Sequence, residues 1–314
     1  MFFSRFGATK LDLINYYMAV EEPFLAAVGG RATLMQRFPD GASGKNLFQK
    51  RVPTGAPEWL QTTNVSTPNG TTSNALVLSD LAHVVWAVNL GCLGFHPWPF
   101  LAGNPGVTDE LRIDLDPQPG TTFEHVRLAA VAVRDLFAEV GMATFPKTST
   151  SKGIHIHAKL APRWDSYDVR GAVVVAARAL EQRHPDLLTA AWWKEEHGQR
   201  IFVDFNQNAP HKTIFGAWSV RSRVGGQVST PFLWDKINDI NIDDLTIANV
   251  AGRVSANGDP WLEIHTQASD LTPLLDLALA QRKAGLMDAP WPPQYPKQPH
   301  EPSQVAPSRA KQPQ

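Results

Sequence analysis

The sequence predicts an α/β domain built around three short strands that each turn one polar face toward a common surface. Three observations predict it. Leu111-Arg-Ile-Asp-Leu-Asp116 alternates strictly, with Leu111, Ile113 and Leu115 on one face and Arg112, Asp114 and Asp116 on the other. Gly153 to Leu160 repeats the pattern, opposing Ile154, Ile156, Ala158 and Leu160 to His155, His157 and Lys159. In Arg200 to Phe205, Asp204 points away from Ile201, Val203 and Phe205, and the segments 123–140 and 168–183 between these strands have helical periodicity.

Taken in order, Thr9 to Val20 reads as a helix with Leu11, Ile14, Tyr17 and Met18 along one stripe. Residues 55–75, rich in Thr, Asn, Pro and Gly, read as hairpins and loops. Leu76 to Leu90 returns to a helical pattern capped at Ser79 or Asp80. Gly91 to Thr108 reads as a Gly/Pro loop containing Phe95-His96-Pro97-Trp98. After the first aspartate strand, Pro117 to Gly120 is a stop. Thr121 with Glu124 forms a capping box for the helix Phe123 to Val140, and Gly141 ends it. The helix Asp168 to Arg183 follows the His-bearing strand. Residues 289–314 hold eight prolines, so the domain is drawn as 1–288 and the remainder as a flexible tail.

Of the 314 residues, 43 % are hydrophobic and 19 % charged, which suffices for a sizeable core. The single cysteine, Cys92, excludes an intramolecular disulfide and a cysteine-based zinc site, and reads as a small buried hydrophobe. No apolar run approaches the roughly 20 residues of a membrane span, and the N-terminus lacks a signal-peptide pattern, so a cytoplasmic location is expected. With a net charge of −1, binding to nucleic acid requires clustered basic residues. Such a cluster exists: Arg31, Arg37, Lys45, Lys50 and Arg51 face one acid, Asp40, with Phe38 and Phe48 interleaved.

Asp114 and Asp116 lie about 6–7 Å apart on one strand face, from the strand rise. Carboxylates so spaced bridge hard cations, and two-metal phosphoryl transfer needs cations about 3.5–4 Å apart in oxygen ligands. Asp204 is the best third carboxylate. Alone, D-x-D is also the pattern of a solvated strand face or turn; the argument rests on its combination with Asp204 and the His strand. Lys147-Thr-Ser-Thr-Ser-Lys-Gly-Ile-His155 places hydroxyls, Lys152 and a glycine before that strand, a pattern whose backbone N–H groups can grip a triphosphate. It is not a Walker A loop, because G-x-x-x-x-G-K-[ST] is missing and a strand follows. A zinc pair at His155 and His157 is the alternative, but the carboxylates favour Mg²⁺ or Mn²⁺.

The segments "ELRIDLDPQPG", "FPKTSTSKGIHIHAKL", "RIFVDFNQNAPHKTIFGAWSVRSR" and "STPFLWDKI" together resemble the polymerase domains of bacterial end-joining ligases, members of the archaeo-eukaryotic primase superfamily. The resemblance extends through "TKLDLINYY", "QRFPDG", "LFQKRVPTGAPEWL" and "LGFHPWP", spanning about residues 2–285 in order. It implies a central mixed or antiparallel sheet flanked by helices, a small N-terminal lobe, and a stand-alone member of the actinobacterial kind that works beside a separate ATP-dependent ligase. It implies that Asp114 and Asp116 bind both metals and Asp204 the one that activates the primer 3′-hydroxyl. Ser151, Lys152 and His155 would contact the triphosphate, with His96 near the incoming nucleotide and Arg221 and Arg223 as a basic pair. Phe48 would pack on the template. Lys10 would help hold a downstream 5′-phosphate, and Lys50 and Arg37 belong to the basic run expected to meet DNA.

There are departures. Thr150 stands where the family has glycine, His157 where it has tyrosine, and the family's upstream asparagine and lysine of the 5′-phosphate pocket precede the point where this sequence begins. The resemblance implies a template-dependent nucleotidyltransferase that adds NTPs or dNTPs at short gaps or 3′-overhangs bearing a 5′-phosphate, associated with the nucleoid. The alternatives are a non-catalytic DNA-end scaffold for a ligase and a metal-dependent nuclease.

Overall fold

The computed structural model describes residues 2–3, 7–149, 152–222, 225–306 and 308. Its first part holds α1 (Lys10–Ala19), α2 (Glu21–Val28), β1 (Arg31–Arg37), β2 (Leu47–Gln49), β3 (Thr62–Ser66), β4 (Thr72–Val77), α3 (Leu81–Asn89) and β5 (Cys92–Leu101). One five-stranded sheet runs β2-β1-β4-β3 with β5 on the free side of β1. The second part holds β6 (Thr108–Pro117), α4 (Phe123–Glu139), β7 (Phe145–Thr148), β8 (Ile154–Trp164), α5 (Ser166–Arg183), β9 (Leu188–Thr189), β10 (Ile201–Asp204), α6 (Val250–Asn257) and α7 (Thr272–Lys283). Its sheet is ordered β7-β8-β6-β10-β9, antiparallel except for the β10–β9 pair, and is therefore mixed as expected.

The alternation of β6 and β8 explains the packing. Leu111, Ile113, Leu115, Ile154 and Ile156 are fully buried, and α4 and α5 pack against these strands. The opposite face carries the charged side chains. α1 is capped at Thr9 by a reciprocal pair: Thr9 Oγ1 accepts the Asp12 N–H at 3.2 Å, and the Asp12 carboxylate accepts the Thr9 N–H at 2.7 Å.

Several expectations are corrected. Gly91 to Thr108 is not a loop, since most of it is β5. Pro97 and Pro99 lack ladder donors, but β5 has only β1 as strand partner among the described residues, an edge position with register shifts that tolerates them. The helical reading of Leu76 to Leu90 holds only from Leu81. The apolar run before it belongs to β4, because a short apolar run fits either period. Asp80 is the cap, accepting the His83 N–H at 3.2 Å. The cap of α4 is Thr122 with His125, not Thr121 with Glu124; Thr121 Oγ1 donates instead to Gln118 O at 2.7 Å.

The Pro-rich segment also departs from the expected flexible tail. Residues 288–304 form a strap along α5, with Trp291, Tyr295 and Glu301 buried. The physical reason is that two aromatic anchors and a buried carboxylate punctuate the prolines. Glu301 accepts the backbone N–H of Trp291 at 2.8 Å and of Gln298 at 3.0 Å. Among the described residues no helix is long and apolar enough to cross a membrane.

Candidate functional site

Directly opposed residues on adjacent strands face the same side of a sheet. The register therefore lines up Lys147 on β7, His155 on β8, Asp114 on β6 and Asp204 on β10 as one row. Asp116 lies two residues further along β6, opposite Phe202. His155 Nε2 lies 3.3 Å from Asp114 Oδ1. The buried Lys147 Nζ sits 2.8 Å from His155 Nδ1 and donates to Phe215 O and Ser229 Oγ, each at 2.8 Å. Asp204 Oδ1 accepts the Asn206 N–H at 2.9 Å and its Oδ2 accepts Gln207 Nε2 at 2.8 Å.

The row is polarised. Burial pushes the Asp114 carboxyl up, but His155, Lys147 and Arg221 outweigh it and hold it below the ordinary aspartate value. Burial, and then the charge on Asp114, raise Asp204 to about 6. The same two causes raise Asp116, against Lys194 and His197. Burial, then Lys147, lowers His155 to about 4, and burial, then Arg221 and Lys147, lowers His96 to about 3. Both imidazoles are neutral at pH 7. Basic groups thus collect on the β7–β8 side, where burial and then Arg221 push Lys147 well below the ordinary lysine value, and carboxylates on the β6–β10 side.

Among the described residues no three His, Cys, Asp or Glu side chains stand close enough together to hold an ion as they are. Asp204 is turned onto Asn206 and Gln207, and Asp114 onto His155. The donor set is nonetheless oxygen-only and clustered, and opposed residues such as Asp114 and Asp204 have Cβ atoms about 4.5–5.5 Å apart. Oxygen donors gathered on one sheet face are the ligand type that a hard divalent cation takes, so the chemistry of these residues fits such an ion.

Asp204 gives a pH prediction for the metal-free protein. Its folded-state pKa is raised, so its favourable contribution is complete below the unfolded value and is lost as pH rises through about 6. Asp204→Asn keeps the acceptor for Asn206. It is expected to stabilise the metal-free chain by about 1–3 kcal/mol at pH 7.5, with the gain gone near pH 3.5. Denaturant titrations at the two pH values check this, and equal stability of both proteins at pH 7.5 counts against the electrostatic account.

The loop between β7 and β8 is closed by Ser149, whose N–H donates to Gly153 O at 3.0 Å and whose Oγ accepts the Gly153 N–H at 3.0 Å. A Cβ on Gly153 would lie 2.6 Å from Leu115 O. The glycine is therefore what lets this loop lie against β6 between the two aspartates. Gly153→Ala is expected to raise the nucleotide KM about ten-fold or more by displacing the loop, read out by steady-state kinetics. Lys152 is exposed on this loop. Ser151 and Arg223 lie outside the described residues.

The remaining predicted residues fall in two groups. Arg221 sits over the Phe215 ring, 4.1 Å from its centroid, and His96 packs edge-on against Phe215 and Phe48. Phe48 is 56 % exposed, so it reaches from His96 into solvent. His96 Nε2 is buried with no hydrogen-bond partner among the described residues. Lys10 and Arg37 converge on the end of α3, donating to Asn89 O at 2.7 Å and Leu90 O at 2.9 Å. Lys50 is not part of that convergence; it lies toward His211.

Sequence reasoning assigns no role to Lys147, because its partners come from β8 and from residues 215 and 229. It also misses the buried network beneath the site. His157 Nδ1 meets Glu110 Oε1 at 2.7 Å, in keeping with a structural rather than a substrate role. Arg31, the first residue of the basic run, is not a surface charge but pairs with Asp109 at 2.6 Å.

A model of the LigD primase-polymerase domain family matches residues 9–261. The multifunctional non-homologous end joining DNA repair protein LigD of Mycobacterium tuberculosis (strain ATCC 25618 / H37Rv) is 34 % identical over 264 residues, covering 81 % of this chain and 34 % of that protein. The bifunctional non-homologous end joining protein LigD of Bacillus subtilis (strain 168) is 28 % identical over 270 residues, covering 85 % and 43 %. The chain thus spans less than half the length of either relative. The solved polymerase domain from Mycobacterium tuberculosis ligase D in complex with DNA is similar with a TM-score of 0.80 at 30 % identity, covering 86 % of this chain and 96 % of that one.

Proposed function

The chain belongs to the LigD primase–polymerase domain family, and from that premise we propose that it extends a primer 3′-hydroxyl on a DNA template, filling short gaps during end joining or excision repair. The family is one of divalent-metal-dependent nucleotidyltransferases. The observation that carries the reading is the row Lys147–His155–Asp114–Asp204, in which a basic bank and an acidic bank meet at one carboxylate.

Asp114, Asp116 and Asp204 would hold two divalent cations, Mn²⁺ or Mg²⁺. Bound there, these ions supply Lewis-acid stabilisation of the charge on the transferring phosphoryl group and lower the pKa of the attacking hydroxyl. The nucleoside triphosphate, ribo or deoxyribo, lies on the basic bank. Lys152, His155 and Arg221 face its phosphates there; for Ser151 and Arg223 the assignment to the triphosphate rests on the sequence resemblance alone. His155, neutral, accepts from Lys147 at Nδ1 and turns its Nε2–H to Asp114, so it orients that carboxylate beside the phosphates without adding charge, and His96 offers its unpartnered Nε2 to the nucleotide. In-line displacement requires the hydroxyl to arrive opposite the leaving pyrophosphate, hence from the Asp204 side. Phe48 presents an exposed ring for the templating strand, and stacking of this kind contributes about 1–3 kcal/mol per base.

Lys10 and Arg37, brought together at the end of α3, provide the positive charge for a downstream 5′-phosphate, with Lys50 a separate DNA contact on the His211 side. The DNA partner is a gapped duplex or 3′-overhang, and a separate ATP-dependent ligase would seal the product in the cytoplasm, at the nucleoid. The test is primer extension on a one-nucleotide-gapped duplex with each cation. Incorporation that requires a divalent ion and follows the template supports the reading. Tight DNA binding without incorporation under any of these conditions overturns it in favour of an end-binding scaffold.

A further inference from the structure

Asp204 closes β10, and the 3-10 turn after it, Phe205–Asn208, holds its carboxylate through the Asn206 N–H and Gln207. That turn is fixed at two ends. Asn208 pins the far end to β6, accepting the Arg112 N–H at 2.8 Å and donating to Arg112 O at 2.6 Å. The near end rests on Arg170 of α5, whose Nε donates to Asn206 Oδ1 at 3.1 Å and whose guanidinium lies 5.2 Å from the Phe205 ring centroid.

Arg170 is fully buried, and its other partners come from the C-terminal strap. Its Nη2 donates to Pro290 O at 2.7 Å, its Nη1 lies 3.6 Å from the Asp288 carboxylate, and its guanidinium lies 3.9 Å from the Trp291 ring centroid. Trp291 is itself held: its indole N–H donates to Asp288 at 3.1 Å, and Gln304 donates to its carbonyl at 2.7 Å. Beyond the turn, the Tyr295 hydroxyl donates to Pro210 O. A buried guanidinium stripped of these partners is strongly unfavourable, so strap and arginine move as one piece. The strap lies past residue 261, where the family match ends.

We propose that the strap 288–304 is a positioning element for Asp204: Trp291 and Pro290 lock Arg170, Arg170 locks Asn206, and Asn206 aims the Asp204 carboxylate at the cation it shares with Asp114. Trp291 and Arg170 are positioning residues that touch neither substrate nor cation. The inference rests on the metal-site reading above. It makes the affinity of the site for a divalent ion depend on residues at the far end of the chain.

Mn²⁺ binding to the full chain, free of nucleotide and DNA, tests it by calorimetry. Trp291→Ala is expected to weaken Mn²⁺ binding about ten-fold, the scale of losses seen when partners of metal ligands are removed. The nucleotide KM at saturating Mn²⁺ should stay within about two-fold, excess Mn²⁺ should restore kcat, and Trp291→Phe, which keeps a ring over Arg170, should be near wild type. Should Trp291→Ala fail to fold, Tyr295→Phe removes one hydroxyl and leaves the packing, with about three-fold weakening expected. Folded variants that bind Mn²⁺ like the wild type overturn the strap's role alone. Wild-type protein that binds no Mn²⁺ overturns the metal-site reading and the strap's role with it.

Discussion

Asp116→Ala is expected to lower templated primer extension by about 10³-fold or more while leaving the fold and the affinity for gapped DNA in place. The magnitude follows from what the side chain is asked to supply. Losing one preorganised electrostatic partner of a transition state costs about 10²–10³ in kcat, and a carboxylate shared between two cations serves both the entering and the leaving oxygen. Stability should not suffer, because Asp116 stands at the solvent-facing end of β6 with its carboxyl only partly covered. Burial and the neighbouring Asp114 already raise its pKa, so removing its charge relieves repulsion in the metal-free protein. Single-turnover extension and thermal unfolding, measured on the same preparation, separate the two effects. Extension within about ten-fold of wild type would remove Asp116 from the metal site; a collapsed fold would instead move its role to structure.

The parts of the site legible in the sequence are those that a period of two reveals. Asp114 and Asp116 share a face because β6 alternates, and Asp204 faces away from its apolar neighbours for the same reason. That Asp204 stands opposite Asp114 was not legible, since register depends on which strands pair and in what direction. Lys147 is a sharper case. Its three polar contacts come from chain positions 8, 68 and 82 residues away, so no local pattern could mark it. β5 was hidden by its prolines, whose missing donors an edge position makes harmless. The strap was hidden by composition, which reports how many prolines a segment has but not that Trp291, Tyr295 and Glu301 each find a pocket. Arg31 misled in the opposite way, since its positive charge belongs to the interior.

Glu110→Ala, by contrast, is expected to damage the fold itself, lowering the unfolding free energy by about 3–5 kcal/mol, because it leaves buried positive charge without its partner. Glu110 accepts Arg112 Nε and His157 Nδ1, each at 2.7 Å, and lies 3.5 Å from Arg31. Arg112 is fully buried, and its remaining donors reach across to β5, to Pro97 O at 2.9 Å and Trp98 O at 3.1 Å. Together with the Arg31–Asp109 pair, these contacts bolt the N-terminal sheet to the sheet that carries the aspartates. Burial pushes the Glu110 carboxyl up, but Arg112, His157 and Arg31 hold it well below the usual glutamate range. A depressed carboxyl contributes stability above its unfolded pKa and loses it as pH falls, so the penalty of the substitution should shrink in acid. Lys159→Met is the control. Lys159 pairs with Asp109 at 2.6 Å but is partly exposed, so its loss should cost less than about 1 kcal/mol. Guanidinium denaturation of both variants at pH 7.5 and pH 4 measures these differences, and a Glu110→Ala loss under about 1 kcal/mol would mean that the network is not what joins the sheets. The carbonyls that Arg112 holds belong to Pro97 and Trp98, the two residues after His96. Where the substitution does loosen Arg112, the nucleotide KM should rise as well, because His96 directly precedes the two carbonyls that Arg112 holds.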